Sequence, residues 1–295
     1  MMEGNVSNEP VQSNPSPLAQ EVGWYVYCLI PFDRAQGKPS SAGIPSLAGI
    51  DEQFPLALIV EGALGALVSP VPLAEWSGAR LKQHLEDLGW VEEKTRRHEA
   101  IVEAAMKQSP VLPLRFCTLF ESPEGVQKVL RAHRATLQES FEYLRDKEEW
   151  GVKGFSDRPR LRQLLMEVDP KLLRLSKELD GQPPGQAFFL RKQLESLASL
   201  KVEEREVELA QSAEEALRRK VVELVKNPPL SRKITGRRQE MILNMACLVP
   251  KEHVKGFLAM VARWNSAYEQ EGFELIASGP WPPYHFVPVL KGDAH

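Results

Sequence analysis

Apolar runs of strand length recur along the chain, and turn residues bound each of them. The run WYVYCLI at 24–30 lies between Gly23 and Pro31 and predicts a strand. Two short apolar runs within 56–72 surround Glu61-Gly62 and predict a hairpin. Further strands are predicted at 111–120, 148–155, 241–250 and 273–281.

Between the strands, apolar residues recur at helical spacing. Leu81, Leu85 and Leu88 predict a helix that Gly89 interrupts. Residues 158–226 are charged and helical in pattern, with a break at the Gly- and Pro-rich stretch 181–185. The predicted helices cover 77–88, 90–108, 122–147, 158–226 and 251–272.

The strands fall into two groups with helices between them, which predicts an α+β protein of two domains. The second group runs strand, long helical insertion, strand, helix, strand, an order typical of a split βαβ, ferredoxin-like sheet. We therefore predict an N-terminal α+β domain over 22–146. A modified ferredoxin-like domain is predicted over 147–288, with its helical insertion at about 158–226.

Stretches rich in polar and turn residues lie outside these domains or interrupt them. Residues 1–21 are rich in Asn, Ser and Pro and lack the basic start and apolar core of a secretory signal, which predicts a disordered tail. A long surface loop is predicted at 31–54, and a short tail at 289–295.

The composition narrows the class of protein. With 43% apolar and 26% charged residues, the chain is long enough to bury real cores. Its net charge of -3 supplies no bulk positive field, so nucleic acid is not an expected partner. No run of 18 apolar residues exists, and a lipid membrane is not an expected partner either. Cys28, Cys117 and Cys247 lie in separate apolar stretches, which predicts reduced thiols without a disulfide framework.

A search for catalytic motifs finds no candidate. The sequence has no GxSxG, GxxxxGK[ST], GxGxxG or HExxH motif. The histidines do not have the spacing of a metal site. His98, between Arg97 and Glu99, is predicted to have a surface or capping role. We therefore expect neither enzymatic activity nor a cofactor.

Two charged features leave alternatives open. The basic run SRKITGRR at 231–238 is either a solvated linker or an electrostatic contact with an acidic partner. Arg115 shares a face of its predicted strand with apolar residues, where an unpaired charge is costly. It forms either a salt bridge, with Glu148 or Glu149, or a contact with a partner.

Three short motifs, in order along the chain, together resemble one protein family. LPLRF at 112–116, EWGVK at 149–153 and GPWPPY at 279–284 are similar to segments of the gas vesicle proteins of the GvpF/GvpL family. The resemblance extends over about residues 24–287. Motif residues are the candidate partner-contacting or family-signature positions: Leu114, Arg115, Phe116, Trp150, Trp281, Pro282, Pro283 and Tyr284.

The resemblance implies a cytoplasmic accessory protein needed to form gas vesicles, which are hollow, gas-filled protein shells. It implies no catalytic residues, and partners that are the small hydrophobic shell subunit and other gas vesicle proteins. The implied fold has two α+β domains, the second a modified ferredoxin-like one. The resemblance implies a glycine after LPLRF, but this chain has Cys117 there, whose side chain opposes a very close backbone approach.

Three functional hypotheses compete. The chain could bind the shell subunit during assembly, through an exposed sheet edge or through an apolar groove. It could instead be a purely structural component of the mature vesicle, or an enzyme of unknown type. The segment GPWPPYHF at 279–286 is a rigid aromatic turn, either a clasp that lays the C-terminal segment over the sheet or a segment that docks on a partner.

Overall fold

A computed structural model of the chain describes residues 21–33, 38–39 and 47–288. The predicted tail at 1–21, apart from Glu21, and the predicted tail at 289–295 lie outside these residues, as does part of the predicted loop at 31–54.

The strands are β1 (Val22–Asp33), β2 (Lys38–Pro39), β3 (Ala57–Glu61), β4 (Leu64–Pro72), β5 (Leu112–Pro113), β6 (Leu119–Phe120), β7 (Lys147–Ser156), β8 (Glu223–Lys226), β9 (Glu240–Pro250) and β10 (Phe273–Trp281). The helices are α1 (Leu73–Trp76), α2 (Gly78–Glu86), α3 (Leu88–Met106), α4 (Pro123–Ala132), α5 (Arg134–Leu144), α6 (Arg158–Val168), α7 (Pro170–Leu179), α8 (Pro184–Arg218), α9 (Arg232–Thr235) and α10 (Val254–Tyr268). A short 3-10 turn at Lys251–His253 precedes α10.

The chain divides into two compact units. The first holds the described residues up to Gln108 together with Leu114–Ala132, and the second holds Ser109–Pro113 and the described residues from His133 onward. Helix α5 therefore belongs to the second unit. The domain limits 22–146 and 147–288 stay a prediction.

The first unit is built on β1, which pairs with β4 over most of its length. The strand order is β2-β1-β4-β3, and β6 also pairs with β1. The hairpin of β3 and β4 confirms the prediction at 56–72, and Gly62 takes the left-handed conformation that its two-residue turn requires. Helices α3 and α4 bury one apolar stripe each, namely Ile101, Val102 and Ala105 on α3 and Val126 and Leu130 on α4.

The second unit is built on a sheet with the strand order β10-β7-β9-β8, in which every neighbouring pair is antiparallel. Alternate residues of β7, among them Trp150 and Val152, point to the face covered by α8 and α10, as the pattern of 148–155 predicted. The core on this face includes Leu209, Ala213, Leu217, Leu243, Met245, Phe257, Phe273 and Leu275. The opposite face carries Ala246 and Leu248.

Helices α6, α7 and α8 form the insertion between β7 and β8. Their own small core contains Leu172, Leu175, Leu194 and Ala198. The guanidinium of Arg158 makes a forked contact with the buried carboxylate of Glu206, at 2.9 and 2.7 Å, and so joins the start of α6 to α8. The predicted break at 181–185 is confirmed, because α7 ends at Leu179 and α8 begins at Pro184.

Three predictions of secondary structure are wrong in part. The run 111–120 is not one strand, because a turn separates β5 from β6. The helix predicted over 122–147 is two helices that meet at His133. The helical region predicted to reach 226 ends at Arg218, and its last four residues form β8 on the edge of the sheet.

Candidate interaction surfaces

The motif LPLRF leads into a turn that is fastened at both ends to β1. The amide of Leu114 donates to the carbonyl of Tyr27 at 2.9 Å, and the amide of Val26 donates to the carbonyl of Thr118 at 2.9 Å. Within the turn, the amide of Thr118 donates to the carbonyl of Arg115 at 3.2 Å. The residues between these two attachments are therefore held out from the strand.

Cys117 occupies the position of the turn where the backbone has φ 64°. A left-handed residue third in a four-residue turn is typical of a type II turn, which favours glycine there. Glycine would adopt this conformation without the steric cost of a side chain. Burial raises the pKa of the Cys117 thiol to about 11, so the group stays protonated at neutral pH.

A buried polar network supports the turn from below. The hydroxyl of Tyr25 lies 2.9 Å from Nδ1 of His98 and accepts a hydrogen bond from the amide of Cys117 at 3.1 Å. His98 also bonds to the backbone of Leu114, and burial lowers its pKa to about 4. The predicted surface or capping role of His98 is therefore wrong: it is a buried, neutral side chain that positions the LPLRF turn.

Arg115 is exposed at the tip of this turn, while Leu114 and Phe116 are half-buried. The ring of Phe116 lies between 6.1 and 6.4 Å from the rings of Tyr25, Trp90 and His98. Arg115 forms no ion pair with a described residue of its own unit. The choice between a salt bridge and a contact with a partner therefore stays a prediction.

Trp150, from the EWGVK motif, is a core residue. Its ring is buried and lies 6.2 Å from the ring of Phe257 on α10. Its Nε1 donates to the carboxylate of Glu148 at 3.1 Å, which satisfies the buried indole nitrogen. Trp150 thus stabilises the second unit and is not displayed to a partner.

The segment that follows β10 folds back over the outer face of the second sheet. The buried carboxylate of Glu149 accepts hydrogen bonds from the amide of His285 at 3.1 Å and from its Nδ1 at 2.6 Å. Phe286, 8% exposed, packs on Ala246 and Leu248. These contacts favour the clasp interpretation for the end of GPWPPYHF.

The start of the same segment has a different environment. Trp281 is 42% exposed, although its Nε1 donates to Oγ of Ser278 at 3.1 Å. Pro282 is buried, and Pro283 and Tyr284 are half-buried. Gly279 has φ 149°, and a Cβ there would lie 2.9 Å from the carbonyl of Glu149, so only glycine fits. The backbone is therefore fixed while the indole is displayed.

The eight signature residues thus belong to two units. Leu114, Arg115 and Phe116 form the turn in the first unit, whereas Trp150 and the residues 281–284 belong to the second. Within the second unit, Trp150 is directed into the core and Trp281 outward.

An exposed aromatic pair was missed as a site by the sequence analysis. Phe188 and Phe189, at the start of α8, are 62% and 72% exposed, with their ring centroids 5.8 Å apart. The sequence contained the signal, because the positions three and four residues further on are Arg191, Lys192 and Gln193, which offer no apolar partner on the helix. Two adjacent phenylalanines without such partners indicate a surface for another molecule.

Two clefts of the described units combine charged side chains with other residues. One of about 480 Å³ lies where α8 ends and α10 begins, and one of about 690 Å³ lies beside the first turns of α3. Within residues 21–33, 38–39 and 47–288, no group of three or more His, Cys, Asp or Glu side chains could hold a metal ion. No helix in the same ranges is long and apolar enough to cross a membrane.

These features define a mixed helix-and-sheet protein with two sheets, whose conspicuous exposed side chains are aromatic and cationic. Residues 23–288 match the family model described as gas vesicle synthesis protein GvpL/GvpF, and the chain belongs to that family.

Named relatives come from both branches of the family. The chain is 27% identical to gas vesicle protein L of Streptomyces sp. (strain CB03234), over 82% of this chain and 86% of that protein. It is 25% identical to gas vesicle protein L1 of Halobacterium salinarum, over 91% of each chain. Gas vesicle protein F of the same Streptomyces strain is 26% identical over 80% of this chain and 90% of that protein.

Solved structures show the same fold. The crystal structure of the gas vesicle protein GvpF from Anabaena sp. PCC7120 superposes with a TM-score of 0.66 at 21% identity, and covers 90% of this chain and 98% of that one. The structure of GvpF from Microcystis aeruginosa superposes with a TM-score of 0.60, also at 21% identity, over 90% and 99% of the two chains.

Proposed function

We propose that this chain is an accessory protein of gas vesicle formation that binds the hydrophobic shell subunit, or other gas vesicle proteins, during assembly. The observation that supports this function best is the display of large aromatic side chains, Phe188 and Phe189 on the insertion and Trp281 beside the second sheet. Aromatic residues are enriched among the few side chains that dominate binding energy at protein interfaces.

The chemistry of the proposed partner matches such a surface. A shell subunit that faces gas on one side must present apolar side chains, and before assembly these would drive aggregation. Covering them with exposed aromatic rings removes apolar area from both molecules. A folded carrier would thereby keep the subunit available to the growing shell.

Pairing through a sheet edge is the less favourable of the two routes. The side chain of Asn265 bonds to both the amide of Leu275, at 2.7 Å, and its carbonyl, at 2.8 Å, so it occupies the middle of the β10 edge. On β3, the edge strand of the first sheet, the carbonyl of Val60 accepts a hydrogen bond from the side-chain Nε2 of Gln127 at 3.1 Å. Edges covered in this way do not accept an added strand, and the other edge of the second sheet, β8, is only four residues long. We therefore assign the contact to the aromatic surface.

The proposal also includes the topology of the second unit and the place in the cell where the protein acts. We infer that the second unit is a ferredoxin-like domain of the split βαβ type. Its antiparallel order β10-β7-β9-β8 supports this, because β9 lies between β7 and β8 and β7 lies between β9 and β10. We further infer that the protein is not an enzyme, acts in the cytoplasm and associates with gas vesicles.

Co-purification with the shell subunit tests the function. The chain, tagged and co-expressed with that subunit, is expected to retain it, and the double variant Phe188→Ser/Phe189→Ser to lose most of it. Leu200→Ser is the matched control, because Leu200 is an exposed apolar residue of the same helix. The proposal fails if the chain retains no shell subunit and if a strain that lacks this chain still forms normal vesicles. Recovery of the chain on washed, intact vesicles, without retention of the free subunit, would instead indicate a structural component of the shell.

A further inference from the structure

The basic loop, residues 231–238 between β8 and β9, has a fixed backbone. It contains the single turn α9, which ends at Gly236 with φ 67°. The amide of Gly236 donates to the carbonyl of Arg232 at 2.9 Å, and the amide of Arg237 donates to Oγ1 of Thr235 at 3.3 Å. Local bonds of this kind hold a loop in one conformation without a partner.

Two of its arginines attach the basic loop to the sheet. Arg237 donates to the carboxylate of Glu274 on β10 at 2.9 Å, and its guanidinium lies 4.4 Å from the ring centroid of Phe155 on β7. Arg232 donates to the carboxylate of Glu240 on β9 at 3.3 Å. The loop is thus anchored to three strands of the sheet.

Two further cations of the basic loop take no part in these anchors. Lys233 and Arg238 are exposed and form no ion pair within the described parts of the chain. Between them in sequence, Ile234 is 69% exposed. An exposed apolar side chain, with an unpaired cation on each side of it in the sequence, offers the two kinds of contact, apolar and charged, that interfaces combine.

The local charge is opposite in sign to that of the whole chain. The ion-pair network at the loop contains the cations Arg158, Arg232 and Arg237 and the carboxylates Glu206, Glu240 and Glu274, and the charge of Glu203 also acts on Arg158. With the exposed Lys233 and Arg238 the count is five cations to four carboxylates, an excess of one positive charge on a chain whose net charge is -3. This reversal favours an acidic ligand at the loop.

We propose that the basic loop is a docking site for an acidic protein segment that carries an apolar side chain between carboxylates. The carboxylates pair with Lys233 and Arg238, and the apolar side chain covers Ile234. A nucleic acid backbone offers no apolar group to Ile234, and two free cations are few for a polyanion. The proposal is independent of shell-subunit binding, since it involves neither the phenylalanine pair nor Trp281.

Fluorescence anisotropy with a defined peptide tests this assignment. The probe is a labelled, alanine-rich helical peptide with four glutamates placed around one central leucine. At low salt, Lys233→Glu/Arg238→Glu is expected to weaken its binding by about tenfold or more, and Ile234→Ser by several-fold. The matched control is Lys255→Glu/Arg263→Glu, which changes the net charge equally at exposed positions of α10 and is expected to bind like the unaltered chain.

Other outcomes would overturn the assignment. Equal losses in the two charge-reversal variants would show that only net charge matters. A probe with serine in place of the leucine that binds equally well would remove the role of Ile234. Tighter binding of a single-stranded DNA of the same length, or of vesicles containing anionic lipid, would show that an acidic protein segment is the wrong ligand. Absence of any binding by the unaltered chain would do the same.

Discussion

Glu149 and His285 lie 136 positions apart in sequence, and Nδ1 of His285 is 2.6 Å from the carboxylate of Glu149. The carboxylate is buried in the second unit, and it also accepts a hydrogen bond from the backbone amide of His285. Nε2 of the imidazole is 3.1 Å from the side-chain amide of Asn227. One acidic residue of β7 therefore determines where the chain runs after β10.

This pair predicts a pH dependence on the alkaline side. The hydrogen bond and charge of Glu149 raise the pKa of His285 above its ordinary value near 6.5. A raised pKa in the folded state means that the stabilisation is complete below the unfolded pKa and is lost as the pH rises through the folded one. The imidazole is partly exposed, so we expect a loss below about 1 kcal/mol. Urea unfolding at pH 6 and pH 9 measures this loss of stability. The free energy of unfolding of His285→Gln should fall less between these two pH values than that of the unaltered chain.

His98 predicts the opposite slope for the first unit. Burial lowers its pKa from 6.5 to about 4, so the folded state keeps the imidazole neutral while the unfolded state protonates it. Stability should therefore fall as the pH drops from about 6.5 to 4, by up to about 3 kcal/mol. Unfolding curves at pH 4.5 and 7, recorded for the unaltered chain and for His98→Gln, measure this loss. An identical acid slope in the two proteins would contradict the assignment of His98.

The backbone conformation of Cys117 leads us to expect that replacing it with glycine stabilises the protein. Because its φ is 64°, glycine at this position relieves the left-handed strain of a side chain, and we expect Cys117→Gly to raise the free energy of unfolding by about 1 kcal/mol. Cys117→Ala is the control, since it removes the thiol and keeps the Cβ. Thermal unfolding distinguishes them: stabilisation of both variants to the same extent would mean that the thiol, not the backbone conformation, is responsible.

Trp281 and Phe286 should respond differently to truncation, although they lie five positions apart. Phe286→Ala is expected to cost about 3 kcal/mol, because its ring packs on Ala246 and Leu248. Trp281→Ala should change stability by less than about 1 kcal/mol, because the indole is largely at the surface. Chemical denaturation of both variants measures the difference. A second unit that melts in Trp281→Ala would show that this indole, too, is part of the clasp.

Much of this fold could be predicted because its signals are local. Strands such as 241–250 and 273–281 are continuous apolar or alternating runs, and they occur within one residue of where the pattern places them. The run 111–120 could not be resolved, because the usual marker of its turn is a glycine and this chain has Cys117 there. Strand β8 was missed because its four residues continue the apolar spacing of the preceding helix.

The environments of the site residues are set by contacts with residues that are distant in the sequence. Such contacts could not be predicted from a single sequence. His98 looked like a surface residue between Arg97 and Glu99, yet its partner Tyr25 lies 73 positions away. The carboxylate of Glu149 binds His285, 136 positions away, and nothing near either residue in the sequence indicates that pairing. The phenylalanine pair on α8 was visible as a pattern, but its exposure depends on how α6 and α7 pack on the same helix.

The most direct test of the central claim is a photo-crosslinking experiment with the shell subunit. Benzoylphenylalanine replaces Phe189 in one version of the chain and Leu200 in another, and each is co-expressed with the subunit and irradiated. We predict an adduct with the shell subunit from position 189 and little from position 200, because only the former belongs to the exposed aromatic pair. Equal adducts from both positions, or none from 189, would contradict the claim that this aromatic surface binds the subunit.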